Sequence, residues 1–189
     1  MLKQVFLSIG LSQDETTDFF SGPAFLAWNR MGNIQGSWGN ESLPHDWLDH
    51  EFLLSRQIVA RMVELGMMPV LPAFTGFVPD AITRVAPNAT VVQGSEWNGF
   101  GTKFSNDTFL EPFDPLFSTL QSKLINVQKQ VYGDVTHVYT LDQYNENTPF
   151  KGDPAYLKNV SRDTYASLEN ADPDAVWLLQ VLSSAARLI

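Results

Sequence analysis

Between Asp142 and Pro149 the chain reads DQYNENTP, a run in which nearly every side chain can hydrogen-bond or titrate. At its centre Asn145 stands beside Glu146. Such a pair suits glycoside hydrolysis, where a carboxylic acid protonates the leaving oxygen and a neighbouring amide holds a sugar substituent. It suits a solvated turn ahead of a proline better, because Asn, Asp and Thr are ordinary turn formers and polar loop clusters are common. The dipeptide alone therefore favours the turn and leaves the catalytic reading open.

The element that must position this pair lies just upstream. Tyr132-Gly133-Asp134 is a helix-ending signal, and His137 to Leu141, HVYTL, is rich in β-branched and aromatic residues. That composition predicts a short buried strand with the polar cluster at its C-terminal end. In a (β/α) barrel, active-site groups are mounted at that end of the strands.

The rest of the chain supplies a frame of the same kind. Residues 4 to 9 read as a strand, and Ser12 caps a helix through Phe20 with Glu15 at the capping-box position. Ala24 to Trp28 is a compact apolar run that would deliver Trp28 to the mouth of the sheet. Leu43-Pro44 opens the clearest helix, in which Leu48, Phe52, Val59, Met62 and Val63 keep helical spacing and Gly66 closes the end. Met67 to Phe74 reads as a strand buried on both faces, although two prolines confine its ladder bonding. A helical turn follows Pro79, and Val91 to Phe109 is a loop-rich insertion interleaving Trp97, Phe100, Phe104 and Phe109 with Gly and Asn. Asp114-Pro115 opens a helix carrying Leu116, Leu120, Leu124 and Val127 on one face. Asp153-Pro154 opens another, with Tyr156, Val160, Tyr165 and Leu168 toward a core, and Ala175 to Gln180 is a last buried strand. Strands and helices alternating in this way predict an α/β fold with a parallel sheet. No glycine-rich phosphate fingerprint follows any strand, which argues against the nucleotide-binding open sheet.

Composition narrows the function classes. A chain of 189 residues with 44% hydrophobic content can bury one good core, yet it is short of the about 250 residues typical of a complete (β/α)₈ barrel. Its net charge is -9 and it has no Lys/Arg cluster, so neither nucleic acid nor an anionic membrane is expected as a partner. The absence of cysteine removes disulfides, thiolate metal sites and cysteine nucleophiles. His45, His50 and His137 show no ligand spacing with carboxylates, so no metal and no other cofactor is expected. The first residues are too short an apolar run to span a membrane and no cleavage site follows, so no signal peptide is expected in this chain. Sequons at Asn40, Asn88, Asn106 and Asn159 fit a glycoprotein of the secretory route, and they fit polar turns.

Longer words then add up. GPAFLAWNRMGN (22 to 33), RMVELGMMPVLPAFTGFVP (61 to 79), LEPFDPLF (110 to 117), DQYNENTP (142 to 149) and DAVWLLQ (174 to 180) occur in this order. Together they resemble the lysosomal-type α-N-acetylglucosaminidase family, from about residue 5 to Gln180. The resemblance implies a retaining glycoside hydrolase on a (β/α)₈ barrel that releases terminal α-linked N-acetylglucosamine from heparan-sulfate-type chains or glycoconjugates. On the matching positions Glu146 is the general acid/base and Asn145 its substrate-binding neighbour, while Trp28 and Trp97 match tryptophans of the sugar pocket. An N-acetylglucosamine-terminated glycan is then the partner, no cofactor is needed, and the full-length family member is lysosomal, vacuolar or secreted.

Departures from the family shape the expectation as much. The family places a small domain before the barrel and a large helical domain after it. The expected architecture here is therefore a partial (β/α)₈ TIM barrel truncated at both ends, over residues 1–180. A divergent tail over 181–189 follows, where VLSSAARLI stands in place of the family's Gly and Trp. Phe77 replaces a polar residue common in the family. The family's nucleophile is a second Glu on a later strand, so none is expected within this chain. The carboxylates of Asp142, Glu96, Asp80 and Asp114 read as structural. Isolated, the chain is expected to be inactive. Alternatives are a catalytically dead sugar-binding remnant using Trp28, Trp97 and Asn145, or a non-functional truncated gene product with open strand edges.

Overall fold

The computed structural model describes residues 1–20, 44–97, 99, 101–105, 107–144 and 147–179. The chain begins with a helix, α1 (Leu2–Ser8), where a strand is expected over residues 4 to 9. Leu2, Val5, Phe6 and Ile9 recur at three- and four-residue spacing, and this puts Val5 and Phe6 into the core. Helical periodicity overrides the β preference of individual residues here. In α2 (Gln13–Phe19) the expected capping box is present: the Glu15 amide donates to Ser12 Oγ at 3.1 Å and the Ser12 amide donates to the Glu15 carboxylate at 2.7 Å. The expected strand at Ala24 to Trp28 lies outside the described residues.

The long helix α3 (His45–Glu64) follows Pro44, and Gly66 turns the chain at φ 72°. Its spacing is as read, but its apolar face is less covered: Val59 is buried, while Leu53, Leu54, Ile58 and Val63 are exposed. The next run corrects a second expectation. Only β1 (Leu71–Pro72) is a strand, and its surroundings alternate, with Leu71 and Ala73 buried and Met68 and Val70 exposed. That is the pattern of one covered face, not two. Pro72 cannot donate to the ladder, and buried amides of a later helix serve the backbone instead: Gln128 Nε2 donates to the Pro72 carbonyl at 2.6 Å, and Gln121 Oε1 accepts from the Phe74 amide at 2.7 Å.

After the short α4 (Ile82–Val85) comes the stretch read as loop-rich. Its ends pair as an antiparallel hairpin of β2 (Val91–Gln93) and β3 (Thr108–Leu110), with α5 (Thr102–Ser105) between them. The hairpin docks on the segment following β1. Gly76 makes this approach possible: its φ is 101°, and a Cβ there would lie 2.7 Å from the Phe109 ring.

Two long helices then flank the strand that carries the polar cluster. Asp114 caps α6 (Pro115–Tyr132) by accepting from the Leu116 amide at 2.8 Å, and Gly133 ends it at φ 80°. Next is β4 (Val138–Thr140), and Asp153 caps α7 (Pro154–Ala171) through the Tyr156 amide at 3.0 Å. Tyr165 does not enter the core as expected; it is exposed and stacks on Trp177 at 6.4 Å. β5 (Val176–Leu178) closes the described chain, and Val176 and Leu178 are exposed where a buried strand is expected. The sheet order is β1-β4-β5, with both pairings parallel. The fold is therefore α/β, with two small sheets and no closed barrel among the described residues. One core cluster centres on Phe6, Phe74, Phe109 and Phe117, the other on Leu71, Ile125, Tyr139 and Leu168.

Candidate functional site

Because β1, β4 and β5 are parallel, the segments leaving them all emerge at one end of the sheet. The loop after β4 emerges there and is fixed from several sides. Trp177 Nε1 donates to the Leu141 carbonyl at 2.8 Å, and Gln143 Nε2 donates to the Val160 carbonyl at 3.2 Å and to the Thr164 hydroxyl. The Asn147 amide donates to the Tyr144 carbonyl at 2.7 Å. Asn145 and Glu146, between them, lie outside the described residues, as does Trp28.

Trp97 is described, and it is buried to 7% exposure. Two residues before it, Ser95 Oγ accepts from the Thr148 amide at 3.1 Å. The segment carrying Trp97 is thus tied to the segment carrying Asn145 and Glu146. Of the other carboxylates weighed from sequence, Asp114 caps α6 and also accepts from the Thr90 amide at 2.7 Å, Asp80 accepts from the Thr108 hydroxyl, and Glu96 is exposed. Asp142 is half-buried.

Beneath the loop runs a chain of polar side chains that spacing does not mark. The Tyr156 hydroxyl lies 2.8 and 2.9 Å from the two carboxylate oxygens of Glu111 and 2.9 Å from the Tyr144 hydroxyl. Burial raises the Glu111 pKa, against the hydrogen bond from Tyr156 and the charge of Lys151. Burial likewise pushes Tyr144 up to about 12. The Tyr144 ring stacks on Phe109 with centroids 5.0 Å apart. Two further groups are desolvated nearby in sequence: Asp107, pushed up to about 8 by burial and by the charge of Asp80, and Asn147, whose buried amide oxygen and nitrogen have no hydrogen-bond partner among the described residues. Such groups are costly to bury, and no pattern in the sequence announces them.

At the opposite end of the sheet, where the strands begin, the fold brings His137 to carboxylates that sequence spacing does not mark. His137 Nδ1 lies 2.9 and 3.0 Å from the Asp172 carboxylate, and the ligand-type atoms of His137, Asp172 and Asp174 fall within 4.8 Å of one another. The buried Asp172 already receives the Tyr139 hydroxyl at 2.6 Å and lies 3.4 Å from Lys129 Nζ. Its charge is met by protein cations and a donor. In barrel architecture this end serves stability, so the grouping reads as a structural ion-pair network.

The sequence model described as "Alpha-N-acetylglucosaminidase (NAGLU) tim-barrel domain" matches residues 1–186. Alpha-N-acetylglucosaminidase of Homo sapiens is 39% identical over 178 residues, which cover 94% of this chain and 24% of that relative. Among solved structures, a family 89 glycoside hydrolase from Clostridium perfringens in complex with 2-acetamido-1,2-dideoxynojirmycin superposes with a TM-score of 0.83 at 27% identity, over 97% of this chain and 20% of that one. The same TM-score, 0.83, is found at 26% identity for a doubly Glu-to-Gln substituted form in complex with its substrate GlcNAc-alpha-1,4-galactose, again over 97% of this chain and 20% of that one. The chain therefore spans about a quarter of the length of its curated relative.

Proposed function

The chain belongs to the alpha-N-acetylglucosaminidase (NAGLU) family, and from that premise we propose that it carries the acid/base half of a retaining glycosidase site acting on terminal α-linked N-acetylglucosamine. In this reading residues 1–180 are part of a (β/α)₈ barrel and residues 181–189 a divergent tail. Glu146 protonates the departing glycosidic oxygen and later takes a proton from the attacking water. Asn145 holds a substituent of the sugar, and Trp28 and Trp97 wall the pocket with aromatic faces. The observation that supports the reading most is that residues 142–144 and 147–149, on either side of the pair, follow a central parallel strand at its C-terminal end, with Thr148 tied through Ser95 to the Trp97 segment.

A retaining mechanism needs a second carboxylate about 5 to 5.5 Å from the first, as nucleophile. Asp114 and Asp80 are engaged in capping and hydroxyl contacts, and neither matches the family's second Glu. The isolated 189-residue chain is accordingly proposed to be inactive, its partner carboxylate being supplied by sequence that the longer relatives possess. Its glycan would be met in a lysosome, a vacuole or outside the cell. Proton NMR of the hydrolysis of an α-linked N-acetylglucosaminide tests the reading, using the longest native polypeptide that contains these residues. The first-formed sugar is expected as the α anomer, and an initial β anomer, or no release at all, would refute it.

A further inference from the structure

We infer that Glu111 is a positioning residue for the acid/base loop, acting through Tyr156 and Tyr144. The inference rests on the proposed role of Glu146. Glu111 follows β3 directly, is 2% exposed, and is held by its backbone on both sides: its amide donates to the Thr90 carbonyl at 2.9 Å and its carbonyl accepts from the Asp114 amide at 3.0 Å. Its carboxylate oxygens receive the Tyr156 hydroxyl at 2.8 and 2.9 Å, and Tyr156, in the first turn of α7, lies 2.9 Å from the Tyr144 hydroxyl. The chain of bonds thus connects three separate elements, the hairpin, α7 and the loop after β4.

Proton counting gives it a direction. Each tyrosine has one O–H to donate, while an ionised carboxylate only accepts. When Glu111 is ionised it draws the Tyr156 proton, Tyr156 in turn accepts from Tyr144, and the chain is ordered toward Glu111. Meanwhile the Tyr144 ring lies on Phe109 at 5.0 Å, so the residue just ahead of Asn145-Glu146 is fixed by both its ring face and its hydroxyl. On the far side of the pair, the Asn147 amide returns to the Tyr144 carbonyl at 2.7 Å. A general acid acts only within hydrogen-bond reach of the leaving oxygen. Fixing the residues on either side of it is the way a distant carboxylate can affect turnover.

The test combines amide hydrogen exchange on this chain with kinetics on the longest native polypeptide containing it. Tyr156→Phe removes both hydroxyl bonds with little change of shape, Glu111→Gln keeps an acceptor for Tyr156, Glu111→Ala does not, and Tyr165→Phe is a control on the exposed side of α7. Exchange over residues 142–149 is expected to rise about fivefold to tenfold in Tyr156→Phe and Glu111→Ala, and to stay within about twofold of the parent in Glu111→Gln and Tyr165→Phe. In turnover, kcat is expected to fall about tenfold or more in the first two variants with KM nearly unchanged, and Glu111→Gln is expected to restore it. Unchanged exchange at 142–149 in Tyr156→Phe would overturn the inference, as would a Glu111→Gln variant as impaired as Glu111→Ala. If Tyr156→Phe does not fold, Tyr144→Phe breaks the last link alone and must show the same loosening. A parent polypeptide that hydrolyses nothing refutes the glycosidase reading, whereas the exchange pattern still decides whether Glu111 orders the loop.

Discussion

At the scale of single residues, the parts legible in the sequence were those that form words. Asn145-Glu146 stands out as a candidate because adjacent polar residues follow a strand signal, and both lie outside the described residues. Glu111, Tyr144 and Tyr156 could not, because a hydrogen-bond chain joining positions 45 and 12 residues apart leaves no periodicity to detect. The same holds for His137 and Asp172, which are 35 residues apart and meet only because β4 and the turn before β5 are adjacent. This pair makes a prediction about pH. The hydrogen bond that His137 donates to Asp172 raises the His137 pKa above its ordinary value. For a group raised on folding, the stabilisation is complete below the unfolded pKa and is lost as pH rises through the folded one. Burial works against ionised Asp172, yet the hydrogen bonds from Tyr139 and His137 and the charge of Lys129 leave its pKa lowered. Its stabilisation is present above the unfolded carboxylate value and is lost as pH falls through the folded value. The pair therefore contributes most between about pH 4 and pH 6.5. Melting temperatures of the parent and His137→Gln should differ more at about pH 5.5 than at about pH 9; an equal difference at both would remove the ion pair from the account.

Among the elements, caps were the most reliable signals. Ser12 with Glu15, Asp114-Pro115, Asp153-Pro154 and Gly133 all mark helix ends where the sequence places them, because a cap is a local contact of three or four residues. Strands were harder. β2 and β3 are three residues each and are separated by a stretch full of Gly and Asn, so Val91-Val92 and Thr108-Phe109 were hidden inside an apparent loop. What fixes the hairpin is a tertiary contact, the approach of Phe109 to Gly76. Gly76→Ala should cost about 1 to 3 kcal/mol in urea unfolding, from left-handed backbone strain and displacement of the Phe109 ring. Gly152, which has open space where a Cβ would be, serves as the control, and Gly152→Ala should be nearly neutral. Equal costs for the two substitutions would mean that the hairpin is docked by something else. Through Phe109 the same contact reaches Tyr144, so the packing that holds the hairpin also braces the start of the loop after β4.

For the molecule as a whole, the alternation of helices and parallel strands was readable, but burial was overstated wherever it depended on a neighbouring layer. Met68, Val70, Val176 and Leu178 look like core residues by type and are exposed, since apolarity reports a preference and not the presence of a partner. β5 pairs with β4 alone among the described residues, and an apolar strand edge is a template for association. Light scattering of the 189-residue chain should show concentration-dependent association, and Val176→Lys should reduce it while leaving the melting temperature nearly unchanged. A parent chain that stays monomeric at high concentration would contradict this. In the proposed function, Glu146 is the acid that releases the leaving group. General acid catalysis matters most when the departing oxygen is a poor leaving group and least when it is a good one. The decisive measurement is therefore turnover by the longest native polypeptide and its Glu146→Gln variant, on an α-linked N-acetylglucosaminyl disaccharide and on a nitrophenyl α-N-acetylglucosaminide. If Glu146 is that acid, the variant loses on the order of 10²- to 10⁴-fold on the disaccharide and much less in the bond-breaking step with the nitrophenyl glycoside. Undiminished hydrolysis of the disaccharide by Glu146→Gln would contradict it.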